Sequence, residues 1–351
     1  MGALGLPELI AGITLLALNV YVVLGGADFG AGVWDLLARG PRAARQREII
    51  EEGIGPIWEA NHVWLILVIV LLFSCFPPVY AHLSVALHIP LTLMLVGIVL
   101  RGSAFTFRAY DSTGSRVQRH WGRIFSVAST VTPLLLGMCV GALVAGALAV
   151  PAGADFVTRF VAPWTTPFAL VTGAFTLAVF AFLAAVYLTV EAREPALQED
   201  FRRMALGAAV AVGALAFGVI LLGRGTALRV TDGLLTKPLA IPLQLVTAVA
   251  AVTAIVALVR RRYALARVAA VAQVSALVWG WGYAQYPAMV PGVHDIRTAA
   301  APAITLKLVA IGLAGGALVL VPSLWVLFQV FKSDTTSAFV RVDTAEYKAP
   351  E

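Results

Sequence analysis

Apolar residues run in blocks of about 20 along almost the whole chain, separated by short polar gaps, the spacing of helices that cross a bilayer. The blocks predict about nine spanning helices, near residues 8–36, 57–80, 83–107, 121–148, 163–190, 204–223, 239–259, 264–285 and 303–331. The expected architecture is all-α: a polytopic membrane helical bundle forming one domain over residues 1–331. The remaining residues, 332–351, read as a short, polar, disordered cytoplasmic tail. No strong internal repeat is visible, only a faint echo of two four-helix groups. The gaps 149–162, 224–238 and 286–302 are too short to form independent domains.

Composition supports this reading. Of 351 residues, 60% are hydrophobic and 13% charged, with a mean hydropathy of +0.90, which excludes an ordinary soluble domain. The net charge of +6 does not point to nucleic acid, because Lys and Arg sit in the gaps between apolar blocks and form no single basic face. Alternate gaps are unequal: one set carries eighteen Lys and Arg and the other five. By the positive-inside rule the N-terminus is expected outside and the C-terminus in the cytoplasm. Glu8 precedes the first block, and neither a basic leader nor a small-residue cleavage site is seen, so no removable signal peptide is expected. Cys75 and Cys139 both fall inside apolar blocks without paired or metal-ligand spacing.

A charge in the bilayer core costs at least about 2.5 to 3.5 kcal/mol, so each is expected to face protein or water. The sequence places Asp28, Asp35, Glu59, Arg101 and Lys307 within apolar blocks. Asp28 lies about 16 Å of helix before the first cytoplasmic arginine. Glu59 opens the second block, and Arg101 lies about 9 Å from the end of the third. Three ionisable groups from three successive helices are thus expected in one inner layer. A structural ion pair of Arg101 with Asp28 or Glu59 and a proton path opening to the cytoplasm are the two readings. Glu59 and His62 have the i, i+3 spacing of di-iron bundles, but a second such pair is missing, and no metal site is expected. His62, His82, His88, His120 and His294 do not fall at matching depths on facing helices, as paired haem ligation would require. They read as interfacial or hydrogen-bonded side chains.

The motifs GADFGAGVW in the first block, EEGIGPIWEANHVWLI entering the second, FPPVYA at its exit and LRGSAFTFR ending the third resemble those of one family, as do HDIRTAAAPAITLKL and VLVPSLWVLFQVFK near the C-terminus. The chain resembles subunit II of the cytochrome bd type quinol oxidases. The resemblance implies a multi-pass protein of the bacterial plasma membrane, the haem-free partner of a subunit I that carries haems b and d. The complex would oxidise a membrane quinol and reduce dioxygen to water. The same resemblance gives this chain no catalytic group and no directly bound cofactor. It would stabilise subunit I and lead protons through the positions of Asp28, Glu59 and Arg101. A structural quinone is bound in some members, which makes Trp58, Asn61 and Trp64 candidate quinone or interface contacts, and a small accessory subunit would fit. The chain departs from the family where DGFD becomes GGAD, leaving Gly25 in place of the first acid. Glu59 stands where many members have Asp, His294 where Trp is usual and His88 where an aromatic is usual. A proton-coupled secondary transporter using the same three charges is the alternative, as is a self-contained b-type cytochrome.

Overall fold

The computed structural model describes residues 5–54, 58–110, 116–151 and 153–332, without the side chains of 54–60, 108–116, 118, 328 and 330–332. Residues 332–351, read from sequence as a tail, lie outside the described residues from 333 onward. Two compact units are present, residues 1–300 and 301–351. Among the described residues eight helices are long and apolar enough to span a membrane, and a sharply bent pair makes a ninth if counted as one span. Such a chain is helical because the hydrocarbon interior offers backbone N–H and C=O groups no partner but one another.

The first unit begins with α1 (Leu6–Leu37), then α2 (Ala43–Ile54), α3 (Trp58–Cys75), α4 (Pro77–Ala86), α5 (His88–Tyr110) and α6 (Arg116–Val144). Two short helices, α7 (Phe156–Phe160) and α8 (Ala162–Thr165), lead into α9 (Pro167–Glu191) and α10 (Pro195–Thr226). Then follow α11 (Leu228–Thr236), α12 (Ala240–Val259) and α13 (Tyr263–Gln285). A two-stranded antiparallel hairpin, β1 (Ala288–Val290) with β2 (His294–Asp295), closes the unit. Proline in the first turn starts α1, α4, α8, α9 and α10, where a missing N–H costs nothing.

Three expectations are corrected in detail. The second block does not run straight through residue 80: α3 stops at Cys75, and the chain turns by 117° into α4. Pro77 and Pro78 cannot donate to the carbonyls of the preceding turn, so the helix restarts in a new direction. The gap after the first block contains α2, which lays Gln46, Ile49 and Ile50 inward at i, i+3, i+4 and its charges outward. Helix α10 begins nine residues before the predicted 204, carrying Arg202 and Arg203 as a charged extension of the apolar span. The three gaps judged too short for domains hold α7 and α8, α11, and the hairpin.

Helices α1 and α9 form the centre. α1 packs on α3, α6 and α9, and α9 also packs on α6 and α10. Tyr21 and Phe29 of α1 interlock with Phe180, Phe182, Leu183 and Val186 of α9 in the main apolar core. Glycines set how closely these helices cross. A Cβ on Gly30 would lie 1.9 Å from the Phe180 carbonyl oxygen, so the two backbones touch there. At the arginine-rich end α2 is tied to α10 by a bidentate Arg42–Asp200 pair at 2.7 and 2.6 Å. At the opposite end Arg297 of the hairpin segment donates to Glu8 of α1, and Lys237 Nζ donates to the carbonyls of Tyr283, Ala284 and Tyr286 at 2.9, 2.9 and 2.6 Å.

The second unit contains α14 (Ala303–Lys332), an apolar helix exposed along most of its length, as at Leu318 and Val319. Both cysteines are buried and free.

Candidate functional site

Asp28 sits on α1 and is buried. Its neighbours Gly26 and Gly30 have no side chains, which lets α9 come close at Phe180, while α3 and α6 also pack on α1. Asn61 of α3, itself 1% exposed, donates its amide N–H to Asp28 Oδ2. A carboxylate in an apolar interior needs donors of this kind.

Arg101 of α5 is the largest fully buried side chain, at 1% exposure. Its guanidinium lies over the ring of Phe29, one residue beyond Asp28, at 4.8 Å, and over that of Phe125 of α6 at 5.4 Å. Nη1 faces His62 Nε2 at 3.5 Å. A guanidinium only donates, so this nitrogen of His62 acts as the acceptor. His62 packs against Phe29 and Tyr21, with ring centroids 5.8 and 6.1 Å away. Among the described residues Arg101 Nε and Nη2 find no hydrogen-bond partner. The cation rests on two aromatic faces beside the acid.

The residues singled out from sequence thus divide. Asp28, Asn61 and Arg101 come together where α1, α3 and α5 meet α6. Glu59 and Trp58 belong to the first turn of α3, and their side chains lie outside those described. Trp64 is half-buried against the main core. Lys307 belongs to the second unit.

Sequence reasoning missed four participants. Phe29 and Phe125 look like ordinary core residues, and nothing in their spacing marks them as the platform of a cation. The sequence marks His62 as a hydrogen-bonded side chain or a metal-ligand candidate but does not name Arg101 as its partner. Ser126 of α6 donates to Asp35 Oδ2, two turns from Asp28 on the same face of α1. Serines at 126 and 129 and a threonine at 132, with i, i+3, i+6 spacing, were the signal for that polar face.

His62 lies edge-on to aromatic rings with Arg101 at its Nε2; His82 Nε2 is 3.1 Å from the Leu148 carbonyl; His88 Nδ1 is 2.9 Å from the Val85 carbonyl. His82 and His294 meet edge to face at 5.5 Å, on the rim of a cavity of about 330 Å³.

The sequence profile of the family described as Cytochrome bd terminal oxidase subunit II matches residues 6–331. The chain belongs to this family. Among curated proteins it is 30% identical over 186 residues to the Cytochrome bd-I ubiquinol oxidase subunit 2 of Escherichia coli K12, covering 51% of this chain and 46% of that protein. It is 30% identical over 126 residues to the Cytochrome bd ubiquinol oxidase subunit 2 of Bacillus subtilis 168, covering 36% of each. The matched stretch spans about half the length of the Escherichia coli relative or less. In fold, the chain is similar to a chain of the bd oxidase from Geobacillus thermodenitrificans, with a TM-score of 0.78 at 20% identity, covering 93% of this chain and 98% of that one. The shared fold extends over nearly the whole chain, and the range matched by the profile includes Asp28, Asn61 and Arg101.

Proposed function

We propose that this chain is subunit II of a membrane quinol oxidase, pairs with a haem-bearing subunit I, and conducts protons from the cytoplasm toward the oxygen-reducing haem of that partner. The arginine-rich end faces the cytoplasm of a bacterial plasma membrane, by the excess of Lys and Arg in that set of loops. Membrane quinol and dioxygen react with the partner, which carries haems b and d. These supply electron transfer and oxygen activation, while this chain's own work is to hold and hand on protons. Asp28 is the internal acid, kept in place by the Asn61 amide. Arg101 offsets the negative charge, and Glu59 stands at the head of α3 on the same side. Trp58 and Trp64 are candidate contacts for a structural quinone or for the partner. Asn61 faces inward, toward Asp28.

The observation that carries this reading is a buried acid hydrogen-bonded to an amide, with a fully buried guanidinium lying over the adjacent ring. Buried ionisable groups in a membrane bundle mark ion or proton pathways. Tagging the chain and purifying it from membranes tests the pairing. A haem-bearing polypeptide should copurify and support quinol-dependent oxygen consumption, and the chain alone should give no pyridine haemochrome. Asp28→Asn and Glu59→Gln should each slow oxygen reduction at unchanged haem content. Normal turnover in both would leave the charges a structural role only. Solute uptake by the chain alone, driven by a proton gradient, would favour the transporter reading.

A further inference from the structure

The acid that the family has at position 25 is a glycine here, yet a second buried carboxylate lies on α1 toward the arginine-rich end. Asp35 is 3% exposed and lies two turns, about 10 Å, beyond Asp28 on the same helix face. Arg47 of α2, 40% exposed and so in reach of water, brings its Nε to 3.9 Å from Asp35 Oδ1 and donates to the backbone carbonyls of Asp35 and Ala38 at 3.3 and 2.9 Å. On the inner side, Ser126 Oγ has both Asp35 Oδ2 and, at 2.8 Å, the Gly122 carbonyl as acceptors. One hydroxyl proton cannot serve both at once, so the group can turn between them.

From Ser126 a line of hydroxyls climbs α6. Ser129 and Thr132 follow at i+3 and i+6 and are 0% and 2% exposed; among the described residues neither hydroxyl oxygen has a hydrogen-bond partner. Both are pressed into notches made by glycine. A Cβ on Gly32 of α1 would lie 2.2 Å from Ser129 Cβ, and one on Gly97 of α5 would lie 2.2 Å from Thr132 Oγ1. Since α1 and α6 run antiparallel, the contacts with α1 fix two levels, Asp35 with Ser126 and Gly32 with Ser129, and Thr132, a turn further along α6, meets Gly97 of α5. Arg101 lies one turn from Gly97 on α5, and its Nε and Nη2 are likewise buried and unpartnered among the described residues.

We infer that Asp35 is the proton-collecting acid of this chain, and that Ser126, Ser129 and Thr132, bridged by single waters, carry its proton to Asp28. Hydroxyls three residues apart on a helix are about 5–6 Å from one another, a gap that one water fills with a hydrogen bond to each. In each transfer one O–H bond forms as another breaks, so the hydroxyls end unchanged and only the proton has moved. The inference rests on the reading of Asp28 as an internal proton group.

The test uses the purified two-subunit complex, with four variants assayed side by side. Asp35→Asn should reduce quinol-dependent oxygen consumption by about tenfold or more, the scale on which a positioned proton carrier acts, with haem content unchanged. Asp35→Glu should restore most of it, and formate, a small diffusible acid, should partly rescue Asp35→Asn but not change the wild type. Ser129→Ala, which removes the middle hydroxyl and leaves every charge in place, should slow turnover by a smaller factor. Full turnover in Asp35→Asn alongside a slow Asp28→Asn would overturn this route and leave the proposed function standing. Full turnover in both would remove the proposed function as well. Loss of haem from Asp35→Asn, with no rescue by formate, would make Asp35 a structural anchor for Arg47 and end the proposal.

Discussion

Gly30→Ala is the smallest change that tests how the proton site is held. A Cβ at this position would stand 1.9 Å from the Phe180 oxygen, 2.3 Å from its carbonyl carbon and 2.8 Å from the Ala181 nitrogen. All three are backbone atoms of α9, so no rotamer change relieves the clash. To bring the nearest contact to 3.0 Å, α1 and α9 must separate by about 1 Å. That opening strains the Trp34 indole bond to the Ala181 carbonyl, now 2.7 Å, and unpacks Phe29 from Phe180. Overpacking of this kind costs about 1–3 kcal/mol, and weakening one buried hydrogen bond adds about 1. At roughly 2–4 °C per kcal/mol the purified complex should melt about 4–16 °C lower. Turnover should fall with it, because Asp28 is two residues away and moves with α1. Gly12→Ala, with nothing within 4 Å of the added carbon, is the matched control and should melt at or slightly above the wild type. If Gly30→Ala melts within about 2 °C of the wild type and turns over normally, the two helices do not cross as closely as stated, and the account of how Asp28 is positioned fails.

Other expectations follow from the remaining contacts. Arg101→Ala should lower complex stability by about 3–5 kcal/mol, the usual effect of removing one member of a buried charged cluster, and unchanged thermal unfolding would refute its anchoring role. Lys237→Met strips three backbone carbonyls of a charged donor near the end of α13 and should cost about 1–3 kcal/mol; hydrogen exchange at 283–287 should rise, and no change there would count against it. Burial first, and the neighbouring His82 second, hold the His294 imidazole below its ordinary pKa of 6.5. The unfolded hairpin then binds more protons than the folded one, so its stability is full above pH 6.5 and declines as the pH falls below that. Exchange protection at 288–299, corrected for the intrinsic rate, should drop between pH 7.5 and 5 in the wild type and much less in His294→Gln. An equal drop in both would exclude the histidine.

The membrane spans were legible because the length of an apolar block is set by the bilayer, and hydropathy reports that length directly. Direction is another matter. The apolar block continues through Phe76, Pro77 and Pro78 without a dip, so a count of apolar residues passes over the turn between α3 and α4, whose cause is a backbone N–H that proline lacks. Helix α2 was hidden for the opposite reason. Its charges marked it as a gap, although Gln46, Ile49 and Ile50 already spelled an inward face. The arginines at the head of α10 likewise marked where the apolar stretch ends, which is not where the helix ends.

At the site, charge was the readable signal and its partner was not. Asp28 and Arg101 stand out in any apolar block because burying them is expensive. An arginine near an acid suggests an ion pair, and the cation here has an aromatic pair beneath it, yet Phe29 and Phe125 carry no mark to separate them from the other buried apolar side chains of the core. The difference bears on mechanism. A bidentate pair would fix Asp28 as a permanent anion, useful for register and useless for transfer. A guanidinium held on ring faces supplies positive potential to a site whose carboxylate accepts from Asn61. On the proposed reading, Phe29 and Phe125 are therefore what allow one buried acid to gain and lose a proton in a layer that also contains a permanent cation.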